Sequence, residues 1–192
     1  MSLDDLPLTA AWRHLGTRHG FEAVSVRRPG RGYRLQGAAT AVQDRQAWTI
    51  AYWIALDEHW VTERARVWGW STRGACDRLL ESVGPGGWHV DGRAAPGLDG
   101  CVDVDLEASA CTNTVPIHRL GLEVGASADA PAAYVRADGG VERLEQTYAR
   151  LEDDGECPRC EYRAPAFEFE ARLVFDRAGL VLDYPGIAAR AF

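Results

Sequence analysis

Three aspartates make the most chemically suggestive run in the sequence. Asp99, Asp103 and Asp105 stand within residues 98–106, where apolar residues separate them and Cys101 shares their parity. If this run is a strand, the three carboxylates share one face. Like charges on one face of a strand repel each other unless water, a metal ion or neighbouring arginines compensate them. The run therefore indicates either a site of chemistry or a solvated acidic face.

A catalytic or metal-binding role is one hypothesis for these aspartates. Asp103-Val104-Asp105 has the DxD form with which sugar-nucleotide transferases hold a divalent metal, but no nucleotide-binding βαβ pattern surrounds it. Alternate strand residues lie about 6.5–7 Å apart, near the shortest carboxylate separation of inverting glycosidases. The sequence has no GxSxG, HExxH or EF-hand motif. An enzyme of sugar or glycolipid metabolism using Asp103 and Asp105 therefore stays an alternative, and we expect no cofactor and no bound metal.

A second unusual face lies in residues 60–71. By parity it carries three tryptophans and two arginines, namely Trp60, Trp68, Trp70, Arg64 and Arg66. Arginine stems and tryptophan rings cover each other on some solvent faces, whereas exposed tryptophan clusters often mark binding surfaces. In a ligand wall, indole rings would stack on a sugar or acyl surface and guanidinium groups would hold an anionic or hydroxylated group. Both interpretations stay open on the sequence alone.

The elements that must position these residues are mostly short strands. Period-2 alternation predicts strands at residues 21–28, 33–42, 47–56, 60–71, 79–83, 88–93, 98–106, 120–125, 133–136, 142–151, 167–175 and 180–184. Helix signals are limited to a short turn at residues 8–15 and at most one turn in residues 112–120, because Pro116 interrupts the latter. This pattern predicts a mainly β fold, an antiparallel sheet curled into a barrel or half-barrel with one or two short helices.

The composition limits the partners and the chemistry. A chain of 192 residues fits a single domain spanning residues 1–192, and its formal net charge of −7 argues against nucleic acid as a partner. All 21 basic residues are arginine, which excludes Schiff-base lysine chemistry and a Walker P-loop. We find no apolar run of transmembrane length and no secretory signal in residues 1–15. We therefore expect a cytoplasmic protein.

The five cysteines do not predict a disulfide framework, because their number is odd and no secretory signal is evident. Cys157-Pro-Arg-Cys160 has half the ligand spacing of a zinc knuckle, but no second pair completes four ligands. We expect a surface turn that carries two thiols.

Five motifs carry a family resemblance. They are Asp91-Gly92-Arg93, LDGCVDVDL at residues 98–106, TNTVPIHRL at residues 112–120, WSTRG at residues 70–74 and DRAGLVLDYPG at residues 176–186. Together they resemble the bacterial "Putative glycolipid-binding" family, long catalogued as a domain of unknown function, over nearly the whole chain. The resemblance implies a β-rich, barrel-like fold similar to that of bacterial lipoprotein carriers, which hold acyl chains in a half-barrel.

The resemblance also implies a set of site residues. The polar positions of the motifs are Asp91, Arg93, Asp99, Asp103, Asp105, Asn113 and Arg119, and Trp70 and Arg73 fit the family's pattern as well. The aromatic and basic wall adds Arg64, Arg66, Trp68 and Trp88. We expect a cleft that binds an amphipathic ligand, a lipid or glycolipid, without catalysis. A structural or interaction protein whose barrel is filled by its own side chains is the third hypothesis.

Overall fold

The computed structural model describes residues 3–191, which form a large antiparallel sheet and a small second sheet. The strands are β1 (Thr9–His14), β2 (Arg18–Arg27), β3 (Tyr33–Gln43), β4 (Gln46–Leu56), β5 (Thr62–Ser71), β6 (Gly74–Ser82), β7 (Trp88–Val90), β8 (Arg93–Ala94), β9 (Asp103–Leu106), β10 (Ser127–Asp129), β11 (Ala132–Val135), β12 (Val141–Leu144), β13 (Thr147–Asp154), β14 (Cys157–Ala164), β15 (Phe169–Phe175), β16 (Val181–Tyr184) and β17 (Ala188–Arg190). Helix α1 spans Thr114–Leu120, and 3-10 turns lie at Pro96–Leu98, Cys111–Asn113 and Pro165–Phe167.

The large sheet has the strand order β10-β13-β14-β15-β16-β17-β1-β2-β3-β4-β5-β6-β7-β8, and each neighbouring pair is antiparallel. The small sheet has the order β12-β11-β9, with β9 parallel to β11. The predicted mainly β, antiparallel fold is therefore confirmed. The hydrogen-bonded order of the described strands ends at β10 and at β8, so the large sheet is open rather than closed into a barrel.

One face of the large sheet encloses the core. In β4 every second residue from Trp48 to Leu56 is buried, and the residues between them are partly exposed. Trp12 of β1, Leu35 of β3 and Leu173 of β15 bury their side chains in the same apolar cluster. Removal of this apolar surface from water is the main stabilising term for such a fold. The inner face is therefore the one on which a cleft must be sought.

The orientation of β5 differs from the ligand-wall interpretation. Ala65 and Val67 are buried, whereas Trp70 is 50% exposed and points to the outer face. The guanidinium carbon of Arg66 lies 5.6 Å from the centre of the Trp68 ring. The solvent-face interpretation, in which arginines and tryptophans cover each other, is the one that the structure shows. The prediction that Arg64, Arg66, Trp68 and Trp70 point into the cleft is therefore wrong.

The two helix predictions, at residues 8–15 and 112–120, are also wrong. The short turn expected at residues 8–15 is strand β1, which alternates buried and exposed residues. Residues 112–120 contain two helical turns rather than at most one. Pro116 is compatible with α1 because it lies in the first turn, where a backbone N–H has no partner inside the helix. The helix ends at Gly121, which has a φ of 53°, so the strand predicted at residues 120–125 is absent.

Two further predictions are wrong, a strand at residues 98–106 and a surface turn at residues 157–160. The run at residues 98–106 is a strand only from Asp103, because a 3-10 turn and Gly100, with a φ of 85°, precede it. Cys157 and Cys160 lie in β14 rather than in a surface turn, and Cys160 is buried. In the described range no helix is long and apolar enough to cross a membrane.

Candidate ligand-binding site

A cleft of about 370 Å³ lies where the small sheet faces β14, β15 and β16. Its aromatic lining consists of Tyr134, Tyr162, Phe167, Phe169 and Tyr184. Its polar lining consists of Arg18, Asp105, Glu107, Ser109, Asn113 and Arg136, and Leu106, Leu144, Ala164 and Ile187 complete the walls. We call this cavity the aromatic cleft.

The aromatic rings are held by strand alternation and by contact with each other. In β14 the inward positions include Tyr162 and Ala164, and the small alanine leaves room beside the ring. The Tyr162 ring centre lies 6.0 Å from that of Tyr184 and 6.2 Å from that of Phe169. Such separations suit offset or edge-to-face packing, which fixes ring orientation. The cleft therefore presents ordered aromatic surface to a ligand.

Asp105 is a partly buried carboxylate in this cleft. Its Oδ1 accepts hydrogen bonds from the Thr112 hydroxyl at 2.5 Å and from the Leu106 backbone N–H at 2.8 Å. Burial raises its pKa to about 6, and the negative charges of Asp103 and Glu22 act in the same direction. Among residues 3–191, no arginine or histidine lies close enough to form an ion pair with it. The group is mostly ionised at neutral pH and available to a ligand.

Asp103, two residues earlier on the same face of β9, has a different environment. Arg119 of α1 donates from Nε to Oδ1 at 2.8 Å and from Nη2 to Oδ2 at 2.6 Å. Burial raises the pKa of Asp103, and the guanidinium group of Arg119 opposes that rise. Both carboxylate oxygens are thus engaged in a buried ion pair that joins α1 to the small sheet. This arrangement suits a structural role better than proton transfer.

Glu22 is a buried polar residue that the sequence interpretation missed. Its side chain is fully buried on the inner face of β2 and accepts hydrogen bonds from the Tyr52 hydroxyl at 2.5 Å and from the Ser109 hydroxyl. The backbone N–H groups of Ala110 and Cys111 also donate to it, at 2.7 and 3.4 Å. Burial raises its pKa. Its parity with Val24 and Val26 was a usable signal that the side chain points inward.

Asn113 completes the polar end of the cleft. It is buried, and its Oδ1 accepts a hydrogen bond of 2.7 Å from the hydroxyl of Tyr148. Together with Ser109, it places short polar side chains beside the Asp105 carboxylate in the lining. Because these groups are fixed by other hydrogen bonds, they are ordered before a ligand arrives.

The rim of the aromatic cleft is charged but internally paired. Arg18 donates from Nη2 to the Glu107 carboxylate at 3.0 Å and from Nε to Gln43 at 3.0 Å. Arg136 faces Glu142 at 3.3 Å. A neighbouring polar cavity of about 290 Å³ shares Arg18, Glu107 and Arg136 with the aromatic cleft. The charges at this edge of the cleft are thus paired within the protein.

The structure brings only some of the predicted site residues together. Asp105 and Asn113 line the aromatic cleft, Asp103 and Arg119 form the ion pair behind it, and Arg73 lies in the neighbouring polar cavity, paired with Asp138. The others lie elsewhere: Arg64, Arg66, Trp68 and Trp70 on the outer face of β5, Asp91 and Arg93 at the β7–β8 hairpin, and Asp99 in an exposed turn.

Trp88 and Trp60 serve the core rather than the cleft. Trp88 is buried, and its indole N–H donates to the Cys101 carbonyl at 2.9 Å. Trp60 is stacked between Tyr33 and His118, with ring centres 4.4 and 3.9 Å away. Of the cleft's aromatic residues, Tyr162 was missed because β14 was not predicted, whereas the others lie in segments predicted as strands whose mutual approach alternation does not show. The inward parity of Tyr162 with Cys160 and Ala164 was the available signal.

The described part of the chain contains half of a zinc-knuckle motif, Cys157 and Cys160. In that part, no group of three or more His, Cys, Asp or Glu side chains is arranged to hold a metal ion. The zinc-knuckle spacing of Cys157 and Cys160 is not completed by further ligands.

Comparisons with known proteins identify relatives of the chain. A family model described as "Putative glycolipid-binding" matches residues 9–190. One relative of known crystal structure is a DUF1089 family protein from Pseudomonas aeruginosa, whose sequence is 32% identical to this chain. The two structures match with a TM-score of 0.76, and the match covers 88% of this chain and 91% of that chain.

A more distant likeness concerns the fold alone. A beta-barrel-like protein of the domain of unknown function DUF1849 from Brucella abortus is 9% identical, with a TM-score of 0.57 over 98% of this chain and 95% of that chain. No curated protein matches the chain.

Proposed function

Since the chain belongs to the "Putative glycolipid-binding" family, we propose that its aromatic cleft binds an amphipathic ligand, a lipid or glycolipid, without catalysing a reaction. The observation that carries this proposal is the cleft itself, in which ordered aromatic rings surround a small set of convergent polar groups. Ligand sites typically combine a mostly apolar concave wall with a few fixed polar groups.

The two parts of the lining suit the two parts of an amphipathic molecule. The faces of Tyr162, Phe169 and Tyr184 offer apolar contact to an acyl chain or to the C–H face of a sugar ring. Asp105 and Asn113 offer oxygen acceptors for head-group hydroxyl or amine hydrogens. At about 370 Å³ the cleft is near the lower end of ligand-site volumes, so it accommodates one end of such a molecule.

The rim offers contacts for the part of the ligand that would extend outside the cleft. Phe167 is 43% exposed at the opening, and Ile187 lies in the same lining. These apolar groups stand beside the Arg18–Glu107 pair, whose charges are mutually neutralised. The part of an amphipathic ligand that lies outside the cleft would therefore contact both apolar and polar groups.

Native mass spectrometry of the purified protein, compared with the denatured protein, tests this proposal. We expect an extra mass in the native spectrum that is released on denaturation and extracts as a lipid or glycolipid. Ala164→Leu, which fills the cleft, should remove that mass. Ala38→Leu is the matched control, because Ala38 lies on the exposed outer face of β3.

The outcome against the proposal is equally specific. An extra mass that Ala164→Leu retains at wild-type occupancy, in a variant with wild-type thermal stability, would place the ligand elsewhere. A protein that carries no extra mass and binds no added amphiphile would remove the basis for the proposal.

A further inference from the structure

The Asp105 carboxylate of the aromatic cleft has no ion-pair partner among residues 3–191. Burial raises its pKa, and the nearby Glu22, which lies outside the cleft lining, acts in the same direction. Nearby, the charge of Asp103 is already balanced by Arg119. Uncompensated charge in a poorly hydrated site is unfavourable. A cation bound beside Asp105 would balance its charge.

Neither arginine of the rim supplies that cation, and the first of them, Arg136, faces Glu142 at 3.3 Å. Arg18 donates to the carboxylate and the backbone carbonyl of Glu107 and to the Gln43 side chain, and its guanidinium carbon lies 5.9 Å from the Trp48 ring centre. These contacts hold its charge beside Glu107 rather than beside Asp105. Neither arginine of the cleft lining is therefore paired with Asp105.

Aromatic rings surround the Asp105 carboxylate. Tyr134 is its register partner on β11, and Tyr162 and Tyr184 lie in the same cleft lining. Burial raises the pKa of each of these phenols and of Tyr148, and the negative charge of Asp105 adds to the rise. Aromatic faces attract cations, and a carboxylate within a set of rings is a recurrent arrangement for ammonium groups.

We propose that the ligand group held in the aromatic cleft carries a positively charged nitrogen, an amine or a quaternary ammonium, that binds against Asp105 and the surrounding rings. This inference rests on the proposed function, since it names the head-group chemistry of the ligand in the same cleft. A neutral sugar would use the rings and the hydrogen-bond acceptors but would leave the charge of Asp105 unbalanced.

Two probes with the same alkyl chain separate these chemistries. Octyltrimethylammonium and octyl β-D-glucoside are titrated below micelle-forming concentrations into the full chain at pH 7.5, with calorimetric detection. We expect the ammonium probe to bind at least about tenfold more tightly than the glucoside. Asp105→Asn should weaken the ammonium probe by about 10- to 100-fold and affect the glucoside much less, because Asn keeps an oxygen acceptor for a hydroxyl group but has no charge. Asp183→Asn is the control, because this carboxylate is exposed beside Tyr184 but on the opposite face of β16.

A second measurement on the wild-type chain keeps the test valid if Asp105→Asn folds poorly. Affinity for the ammonium probe should rise as the pH increases through about 6, where Asp105 ionises, whereas affinity for the glucoside should stay constant. The other charged or titratable groups around Asp105 are Asp103, Glu22, Arg18, Glu107, Arg136, Tyr134, Tyr148, Tyr162 and Tyr184. Asp103 is ion-paired, and the tyrosines, with raised pKa values, stay neutral in this range.

The outcomes distinguish the two proposals. Equal or tighter binding of the glucoside, or an ammonium affinity that is indifferent to both Asp105→Asn and pH, would overturn the cationic assignment and leave amphiphile binding intact. Failure of both probes to bind would overturn the proposed function together with this inference.

Discussion

Asp103 and Asp105 have different chemistry although they lie two residues apart on one face of β9. Asp103 is held by both nitrogens of a guanidinium fork, whereas Asp105 receives one hydroxyl and one backbone N–H. The spacing within the strand predicts the shared face but not these partners. The partners come from residues 112 and 119, whose positions depend on how α1 packs against the small sheet.

The charge of Asp105 should reduce stability at neutral pH. Its pKa is about 6 in the folded protein, compared with about 3.9 for an unperturbed aspartate, so the folded state binds the proton more tightly than the unfolded state. The contribution of Asp105 to the free energy of unfolding is therefore most favourable below about pH 4, and it is lost as the pH rises through about 6. This difference in pKa corresponds to at most about 3 kcal/mol in the free energy of unfolding.

Asp105→Asn tests this linkage. The Asn side chain keeps an oxygen that can accept from Thr112 and Leu106, so we expect the variant to be more stable than the wild type at pH 7, by at most about 3 kcal/mol, and equally stable at pH 4. Urea denaturation at the two pH values measures the difference. A stability change of the same size at both pH values would mean that the charge is not its source.

At the scale of elements, alternation predicted which segments are strands better than which side faces inward. The strands predicted at residues 21–28, 33–42 and 47–56 correspond to β2, β3 and β4 within a few residues. In β5 the face that carries tryptophans and arginines points to solvent rather than into the cleft. The sequence did not settle this, because such a face is amphipathic enough to suit either environment. The register of β5 with β4 shifts between Ala55 and Leu56, a local irregularity that periodicity does not reveal.

The candidate site was less predictable than the fold because its walls come from distant segments. Asp105 and Asn113 were identified from the sequence motifs, but the aromatic lining comes mainly from β14, β15 and β16. β14 begins with Cys157-Pro158, which resembles a turn, and this concealed the inward position of Tyr162. The motifs contributed Asp105 and Asn113, whereas the other polar lining residues and the apolar walls required the tertiary structure.

The ion pair between Arg119 and Asp103 should anchor α1. The Asp103 side chain is only 2% exposed and that of Arg119 15%, so loss of one partner leaves a poorly hydrated charge. We expect Asp103→Ala to destabilise the protein by about 3 kcal/mol. The double variant Asp103→Ala with Arg119→Met should recover part of that loss, because it leaves no unpaired charge. Urea denaturation of the two variants tests this expectation.

The outer-face pair of Arg66 and Asp77 provides the control for this experiment. Both side chains are about half exposed, and exposed ion pairs contribute little to stability. Arg66→Ala should therefore have a much smaller effect than Asp103→Ala. Similar losses from the buried and the exposed pair would contradict the anchoring role assigned to Arg119.

At the scale of the whole molecule, the two ends of the chain meet inside the large sheet. β1 lies between β17 and β2, with Trp12 opposite Arg190 and His14 opposite Ala188. The sheet therefore continues from the C-terminal strands into the N-terminal strands without an intervening edge. Strand pairs of such large sequence separation form only when the whole chain is folded, which favours a single cooperative unit.

We expect residues 9–190 to unfold in one transition. Trp12 lies at the junction of the two chain ends and Trp88 near the opposite edge at β7, so tryptophan fluorescence reports on both regions, while far-ultraviolet circular dichroism reports on the strands. The two signals should give the same urea midpoint if the sheet is one unit. Trp12→Phe and Trp88→Phe, measured separately, should each keep fluorescence and circular dichroism coincident. A fluorescence midpoint that separates from the circular dichroism midpoint in one variant only would show that the sheet contains two independently unfolding parts, contrary to a single domain.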